Sequence, residues 1–316
     1  MIELIYQSNN TGEILELSNI VTSISLDTQL NAGNELAVEL LYDKALPFSE
    51  GSPISFVVDG VGLFYGYQFV NDDDNGKSTK LIFRDQLKYL LTNETYTFEY
   101  VYAPEVIKAI ARDFNLRTGE LENTSYKHQP MIHDNKKVLD IIMRYVDDLV
   151  RNTGEMYSFQ DVFGSLTFKK IKNNIIDFII GDGSLANKYQ FKRSIDDSKN
   201  EVKLVQEDKD KNTRAAYIYK DSDNIKKWGR LLEYQTVDEK LNTAQINEYG
   251  RALLGLKNRV NKTLTLEAFG NTSFLAGRAC KVELSTPGID GVYIIEAAKH
   301  TFTGNTHKMV VDLKVV

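Results

Sequence analysis

Two stretches far apart in the chain follow one pattern, and that repetition constrains the fold more than any other feature. The closing stretch, Gly277 to Val316, alternates Cys280, Val282 and Leu284 with Lys281, Glu283 and Ser285. Turns at Pro287-Gly288 and Asp290-Gly291 lead into the apolar run Val292 to Ala297, and Thr303-Gly304-Asn305 leads into Met309 to Val316. Period-two alternation bounded by turn residues predicts three strands in a β-meander. From Gly51 to Asp85 the order recurs: a glycine, an alternating strand, a Gly-containing turn, an aromatic-rich strand, a polar turn at Asp72 to Gly76 and an apolar strand. Gly51 corresponds to Gly277, Phe64 and Tyr65 to Tyr293, and Asn75-Gly76 to Gly304-Asn305. Two similar β-units are therefore expected in one chain.

The remaining pattern fits around them. Residues 1–94 read as short strands (Ile2 to Tyr6, Ile14 to Leu17, Val21 to Leu26, Leu36 to Leu41, Ile54 to Val58, Phe64 to Val70, Leu81 to Arg84) separated by turn clusters, which predicts a first β-barrel or sandwich. Near Tyr102 the period changes. Pro104 suits a first helical turn, and Val106, Ile107, Ile110, Ala111 and Phe114 line one face. Val138, Leu139, Ile142, Tyr145, Val146 and Leu149 mark a second helix, capped by Asp134 or Asn135 and ended by Gly154. A hairpin from Met156 to Ile171 completes an inserted α+β domain over 95–173. Residues 174–316 form the second β-barrel, with strands Ile175 to Ile180, Tyr189 to Arg193, Glu201 to Val205 and Ala215 to Tyr219. A solvated tip lies at Gln206 to Asn212, and a helical segment at about 236–258 is capped by Thr243 and weakened by Gly250 and Gly255. The expected class is mainly β with an α+β insertion.

Composition removes several functions. With 316 residues the chain has room for two or three cores, and no run approaches the roughly 18 apolar residues of a membrane span. The opening MIELIYQSNNTGE lacks a signal peptide's basic and apolar regions, so synthesis in the cytoplasm without a signal is expected. A single cysteine excludes an internal disulfide and a thiolate metal cluster within one chain, and a net charge of -6 argues against gripping a phosphate backbone.

Each candidate for chemistry has a plainer structural reading that fits better. Gly181-Asp182-Gly183-Ser184-Leu185-Ala186 has the glycines of a dinucleotide-binding turn, but Asn187 to Arg193 reads as a strand where a helix is needed, so a hairpin turn is expected. In the acidic loop Asn71 to Gly76, a calcium loop with Gly76 sixth would need a glutamate at Ile82; Asn75-Gly76 is a hairpin signal instead. Cys280 with His300 or His307 could make a thiol nucleophile and base, but Cys280 sits at an inward strand position. His128 and His133 flank Pro130 without the spacing of a helical zinc pair and read as a surface loop. The stripe Phe64, Tyr65, Tyr67 and Phe69 could stack bases, but the acidic loop beside it favours core and interface packing. No catalytic, cofactor-binding or metal residue is assigned.

Several segments resemble the tail hub proteins of contractile phages. Ser194 to Val202 is similar to their S-x-x-D-x-x-N-x-V segment, and Asp223-Asn224-Ile225-Lys226-Lys227-Trp228-Gly229 to D-x-x-I-x-x-[YW]-G, with Trp where Tyr is usual. Gly277, Val282, Gly291, Tyr293, Ile295, His300, Phe302, His307 and Met309 match the closing series. Leu63-Phe64-Tyr65-Gly66-Tyr67 and Arg84-Asp85-Gln86-Leu87-Lys88-Tyr89-Leu90 resemble the LF-x-G and DQL-x-YL segments of the XkdQ/YqbQ branch.

The resemblance implies two similar β-barrels with an inserted α/β domain. It also implies a baseplate structural protein of a phage, a prophage or an R-type bacteriocin such as a diffocin. As a homotrimer, such a hub forms a pseudo-sixfold ring, a tube–spike adaptor between the tail tube protein and the central spike protein. It touches other baseplate proteins, with transient passage of DNA through the channel and no membrane insertion. The competing enzyme reading, a tail-associated peptidoglycan hydrolase, predicts a compact domain with a carboxylate or Cys-His pair in a cleft. A receptor-binding tip predicts a long fibrous segment.

Overall fold

The structure, a computed structural model, describes residues 1–181, 186–208, 213–237, 239, 241–285 and 288–315. The glycine turn within 181–186, the tip of 206–212 and the turn at Pro287 therefore lie partly or wholly outside the described residues. The chain divides into two compact units, Met1–Gln190 with Leu264–Val316, and Phe191–Thr263.

Seven strands open the first unit: β1 (Ile2–Gln7), β2 (Ile14–Glu16), β3 (Val21–Gln29), β4 (Glu35–Leu41), β5 (Pro53–Val58), β6 (Val61–Asp74) and β7 (Ser78–Arg84). Because successive side chains point to opposite faces of a strand, alternation turns one row inward. Leu4, Tyr6, Ile24, Leu26, Leu36, Val38, Leu40, Ile54, Phe56, Leu81 and Phe83 thereby share one core. Each such side chain contributes roughly 1.5–3 kcal/mol on burial. Asp59-Gly60 and Asn75-Gly76 turn β5 into β6 and β6 into β7; all four have positive φ, the turn geometry whose twist suits a hairpin.

A 3-10 turn, Gln86–Leu91, leads into β8 (Asn93–Phe98), α1 (Ala103–Asp113), β9 (Thr118–Leu121), β10 (Met131–Lys137), α2 (Val138–Thr153), β11 (Tyr157–Asp161) and β12 (Leu166–Lys170). The apolar faces of both helices meet Phe159 and Phe168 in a separate core. Gly154 ends α2 at φ 70°, as its position predicts. Its start differs: Asp134 and Asn135 lie within β10, which pairs with β8, and Lys137 is the capping position.

The chain then forms β13 (Ile175–Gly181) and β14 (Ala186–Ser194) and continues into the second unit with β15 (Glu201–Asp208), β16 (Thr213–Lys220), α3 (Ser222–Trp228), β17 (Leu232–Val237) and α4 (Thr243–Lys257). It closes with β18 (Asn261–Phe269), β19 (Ala279–Leu284), β20 (Ile289–Thr303) and β21 (Thr306–Val315). The main sheet runs β14-β18-β21-β20-β3-β4-β7-β6-β5-β1-β2, with β13 and β19 attached beside β20. The closing meander is thus welded to the opening strands. β20 pairs with β19 through Ile289 to Ile294, and with β3 through Ala297 to Phe302. Phe302 also enters the first core, edge-on to Phe56 at 5.3 Å.

In the second unit β16, β15 and β17 form a sheet of their own, and Val202 and Leu204 pack on Ile246 and Leu253 of α4. Strands 201–205 and 215–219, expected in the second β-barrel, therefore pair with each other in this sheet, and β15 alone pairs with β17. Asn242, not Thr243, caps α4, with Gln245 completing a capping box. Gly250, a weak helix former, has a packing reason: a Cβ there would lie 2.0 Å from the Tyr219 ring. No helix among the described residues is long and apolar enough to cross a membrane.

Candidate functional site

The motif residues gather into three buried polar locks. Asp85 accepts hydrogen bonds from the Asn34 N–H at 2.8 Å and from the Leu87 N–H at 3.0 Å, which caps the 3-10 turn. Gln86 donates from its backbone and from Nε2 to Asp161 Oδ2, at 3.2 and 3.0 Å, and its Oε1 accepts from the Arg117 N–H at 2.8 Å. Leu87 enters the helical core. The Asp-Gln-Leu segment thus ties the strand barrel to the insertion. Burial pushes both carboxyls up, Asp85 well above the usual range with the neighbouring Asp161 charge adding to it.

In the second unit Asn200 is fully buried. Its Nδ2 donates to Gly229 O at 2.7 Å and its Oδ1 accepts from the Leu231 N–H at 2.8 Å. Asp221 caps α3 by accepting from the Asp223 and Asn224 N–H groups, both at 2.9 Å, and takes a third bond from Asn258 Nδ2 at 2.7 Å. Arg230 grips Glu201 through two nitrogens at 2.9 and 2.7 Å. The two segments that stand apart in sequence, around Asn200 and around Gly229, are one lock.

The third lies in the closing meander. The β20–β21 register places His300 opposite Met309 and Phe302 opposite His307. His300 Nδ1 is 3.0 Å from His307 Nε2, and Phe302 stacks on the His307 ring at 3.9 Å. Burial holds both imidazoles below their ordinary pKa, His307 at about 4 with His300 adding to the effect.

Cys280 is fully buried in β19, and burial pushes its thiol up to about 12, which leaves almost no thiolate at neutral pH. His300 and His307 bond to each other. The surface-loop expectation for His128 and His133 is corrected: both are buried, His128 Nδ1 lying 2.7 Å from Asp148 Oδ2 and His133 Nε2 3.3 Å from Tyr145 Oη. Both partners sit on α2, so sequence spacing held no sign of them. Asn71 to Gly76 is the tip of the β6–β7 hairpin, where the Gly76 N–H donates to Asp73 Oδ1 at 2.8 Å. Among the described residues, no group of three His, Cys, Asp or Glu side chains could hold a metal ion.

Phe64 points into the core, whereas Tyr65 and Tyr67 extend a chain of rings outside it. Phe163–Tyr65, Tyr65–Tyr67, Tyr67–Tyr89 and Tyr89–Phe69 are spaced 5.8–6.2 Å. Tyr89 and Phe163 were not expected there; Phe163 reaches the ladder from a turn at positive φ.

Residues 24–314 match a family model described as YQBQ-like. Two Bacillus subtilis (strain 168) proteins are similar over 268 residues: YqbQ, described as uncharacterized, is 30% identical over 84% of this chain and 81% of its own length. XkdQ of the phage-like element PBSX is 28% identical over 84% and 82%. Among solved structures, the 43 kDa tail protein of prophage MuSo2 from Shewanella oneidensis superposes with a TM-score of 0.71 at 14% identity, covering 98% of each chain.

Proposed function

The chain belongs to the YqbQ-like family, and we propose that it serves as a structural baseplate hub of a contractile tail, three copies forming a ring between a sixfold tail tube and a threefold central spike. It has the fold of a prophage tail protein and is related to a phage-element protein, which supports a tail role. One observation carries the finer reading. The Gly51 N–H donates to Gln68 O while the Gln68 N–H returns to Ser52 O, at 2.7 and 2.9 Å. The Gly277 N–H donates to Ile295 O while the Ile295 N–H returns to Arg278 O, at 3.0 and 2.8 Å. The two β-units begin with the same backbone exchange, so each chain offers two related positions.

Three chains then offer six, which is the count a sixfold tube needs above a threefold spike. In this reading residues 1–94 supply one position and, within 174–316, the strands β13, β14 and β18 to β21 supply the other, with 95–173 inserted between them. The locks each fix their own part of the chain, and the partners are tube, spike and neighbouring baseplate proteins of a phage, prophage or R-type bacteriocin particle. A channel through the ring would carry DNA only in transit, and the net charge of -6 disfavours retention of DNA. No residue is assigned a catalytic role.

Light scattering across a concentration series, with imaging of the main species, tests the proposal. A trimer with a central hole is the expected result. A chain that stays monomeric even when mixed with its tube and spike proteins, or that clears peptidoglycan when purified, overturns it.

A further inference from the structure

We propose that a cavity in the first unit, built around Arg278, is a binding site for a carboxylate. The cavity holds about 300 Å³ and is lined by Asn34, Ser158, Gln160, Thr167, Thr272 and Arg278 among others. Arg278 follows Gly277, whose φ of 83° and bond to Ile295 O fix where the side chain starts. A Cβ at Gly277 would lie 2.9 Å from Gln160, itself part of the wall.

The guanidinium is only partly used. Nη1 donates to Ser273 O at 3.0 Å, whereas Nε is buried without a partner among the described residues. Among the described residues no carboxylate pairs with Arg278, and no hydrogen bond engages Nη2. The other charges at the wall are already committed. Asp161 accepts from Gln86 and from the Gly164 N–H, and Lys169 pairs with Glu120 at 2.6 Å. A partly buried cation with an unpaired N–H is unfavourable unless something supplies an acceptor. Nε is covered, so Nη2 is the nitrogen left to donate to a carboxylate oxygen, in a charge-assisted bond that is shorter and stronger than a neutral one. The wall hydroxyls and amides add donors, and the volume suits one acidic side chain or a small dicarboxylate better than a nucleotide.

The carboxylate could come from a partner protein or from a free small acid. Calorimetry and thermal melting of the full chain at fixed ionic strength, with succinate, with N-acetyl-glutamate α-methylamide and with inorganic phosphate as probes, separate these sources. At least one carboxylate is expected to bind saturably. Arg278→Gln should weaken it by roughly tenfold or more. Thr272→Phe, which fills the cavity from a partly exposed wall position, should do the same with the unliganded melting temperature retained, and so guards against misfolding of the first variant. Preference for the glutamate mimic points to a protein partner, and preference for succinate to a free acid. Absence of saturable binding by both carboxylates, equal binding by Arg278→Gln and Thr272→Phe, or phosphate binding as tightly as either carboxylate overturns the proposal.

Discussion

His300 and His307 are joined ring to ring, Nδ1 to Nε2 at 3.0 Å, and the direction of that hydrogen bond is fixed by a third group. His300 Nε2 lies 2.8 Å from Phe274 O, a carbonyl that can only accept, so Nε2 carries the proton. Neutral His300 then has a bare Nδ1, and His307 must donate to it from Nε2. Protonating His300 at Nδ1 would set two donors against each other.

Acid should therefore weaken the fold through this pair. His307 has a folded pKa of about 4 against an ordinary 6.5. Above 6.5 neither state is charged; as pH falls from 6.5 towards 4 the unfolded chain takes up a proton that the folded chain does not, so stability declines and then levels off below 4. The full shift corresponds to roughly 3 kcal/mol, and solvent screening at the partly exposed ring reduces the expected loss to about 1–2 kcal/mol. Asp85 acts in the opposite sense, because its raised carboxyl stabilises the fold when protonated and that contribution is lost as pH rises through its folded pKa. Comparison with His307→Gln, which can still donate to His300 without titrating, isolates the histidine. Denaturant unfolding at pH 7 and 4.5 should show the wild type losing about 1–2 kcal/mol more than the variant; parallel losses would refute this.

The two equivalent glycines should respond differently to the same substitution. Gly51→Ala places a Cβ no closer than 3.5 Å to Asn9 Nδ2, so only the positive φ of 79° is strained, at about 1–2 kcal/mol. Gly277→Ala adds contacts of 2.9 Å to Gln160 and 3.1 Å to Ser158. It should cost about 1 kcal/mol or more beyond Gly51→Ala in equilibrium unfolding.

Asn200→Ala should unlock the second unit. It removes two side-chain bonds and strands the Gly229 carbonyl and Leu231 N–H, for a cost of about 2–4 kcal/mol. Hydrogen exchange should show protection falling across Phe191–Thr263 while the buried strands of the first unit keep theirs. A uniform loss across the chain would mean that the lock is not local.

Much of the fold was legible in sequence because its signals are local. The meander Ala279–Val315 and strands β3 to β7 declare themselves by alternation and by Asn-Gly or Gly-Asn turns. Strands β8 and β10 do not, since Asn93–Phe98 and Met131–Lys137 carry polar residues on nearly every exposed position. The sheet to which β15 and β16 belong is set by pairing with β17 across α3, a non-local choice that alternation cannot report. The motif segments could be singled out, but two of the locks they form could not, because Asp161 and Asn258 lie far along the chain from Gln86 and Asp221, which they hold.

Gln68 offers the sharpest test of the duplication. Gln68 is 1% exposed, and among the described residues neither its Oε1 nor its Nε2 has a hydrogen-bond partner. Its backbone makes the exchange with Gly51 and Ser52 that Ile295 makes with Gly277 and Arg278, and Ile295 is fully buried and apolar. An orphaned buried carboxamide forfeits the bonds it made to water, at about 1–3 kcal/mol, whereas an apolar side chain of similar volume does not. Gln68→Ile imports the solution the other unit already uses, and Gln68→Met keeps the unbranched shape if branching crowds Phe83, which lies opposite on β7. At least one should raise unfolding free energy by about 1–2 kcal/mol in urea with the m-value unchanged. If both instead destabilise the chain, the carboxamide has a bound partner inside the core, and the equivalence of the two units would stop at the backbone.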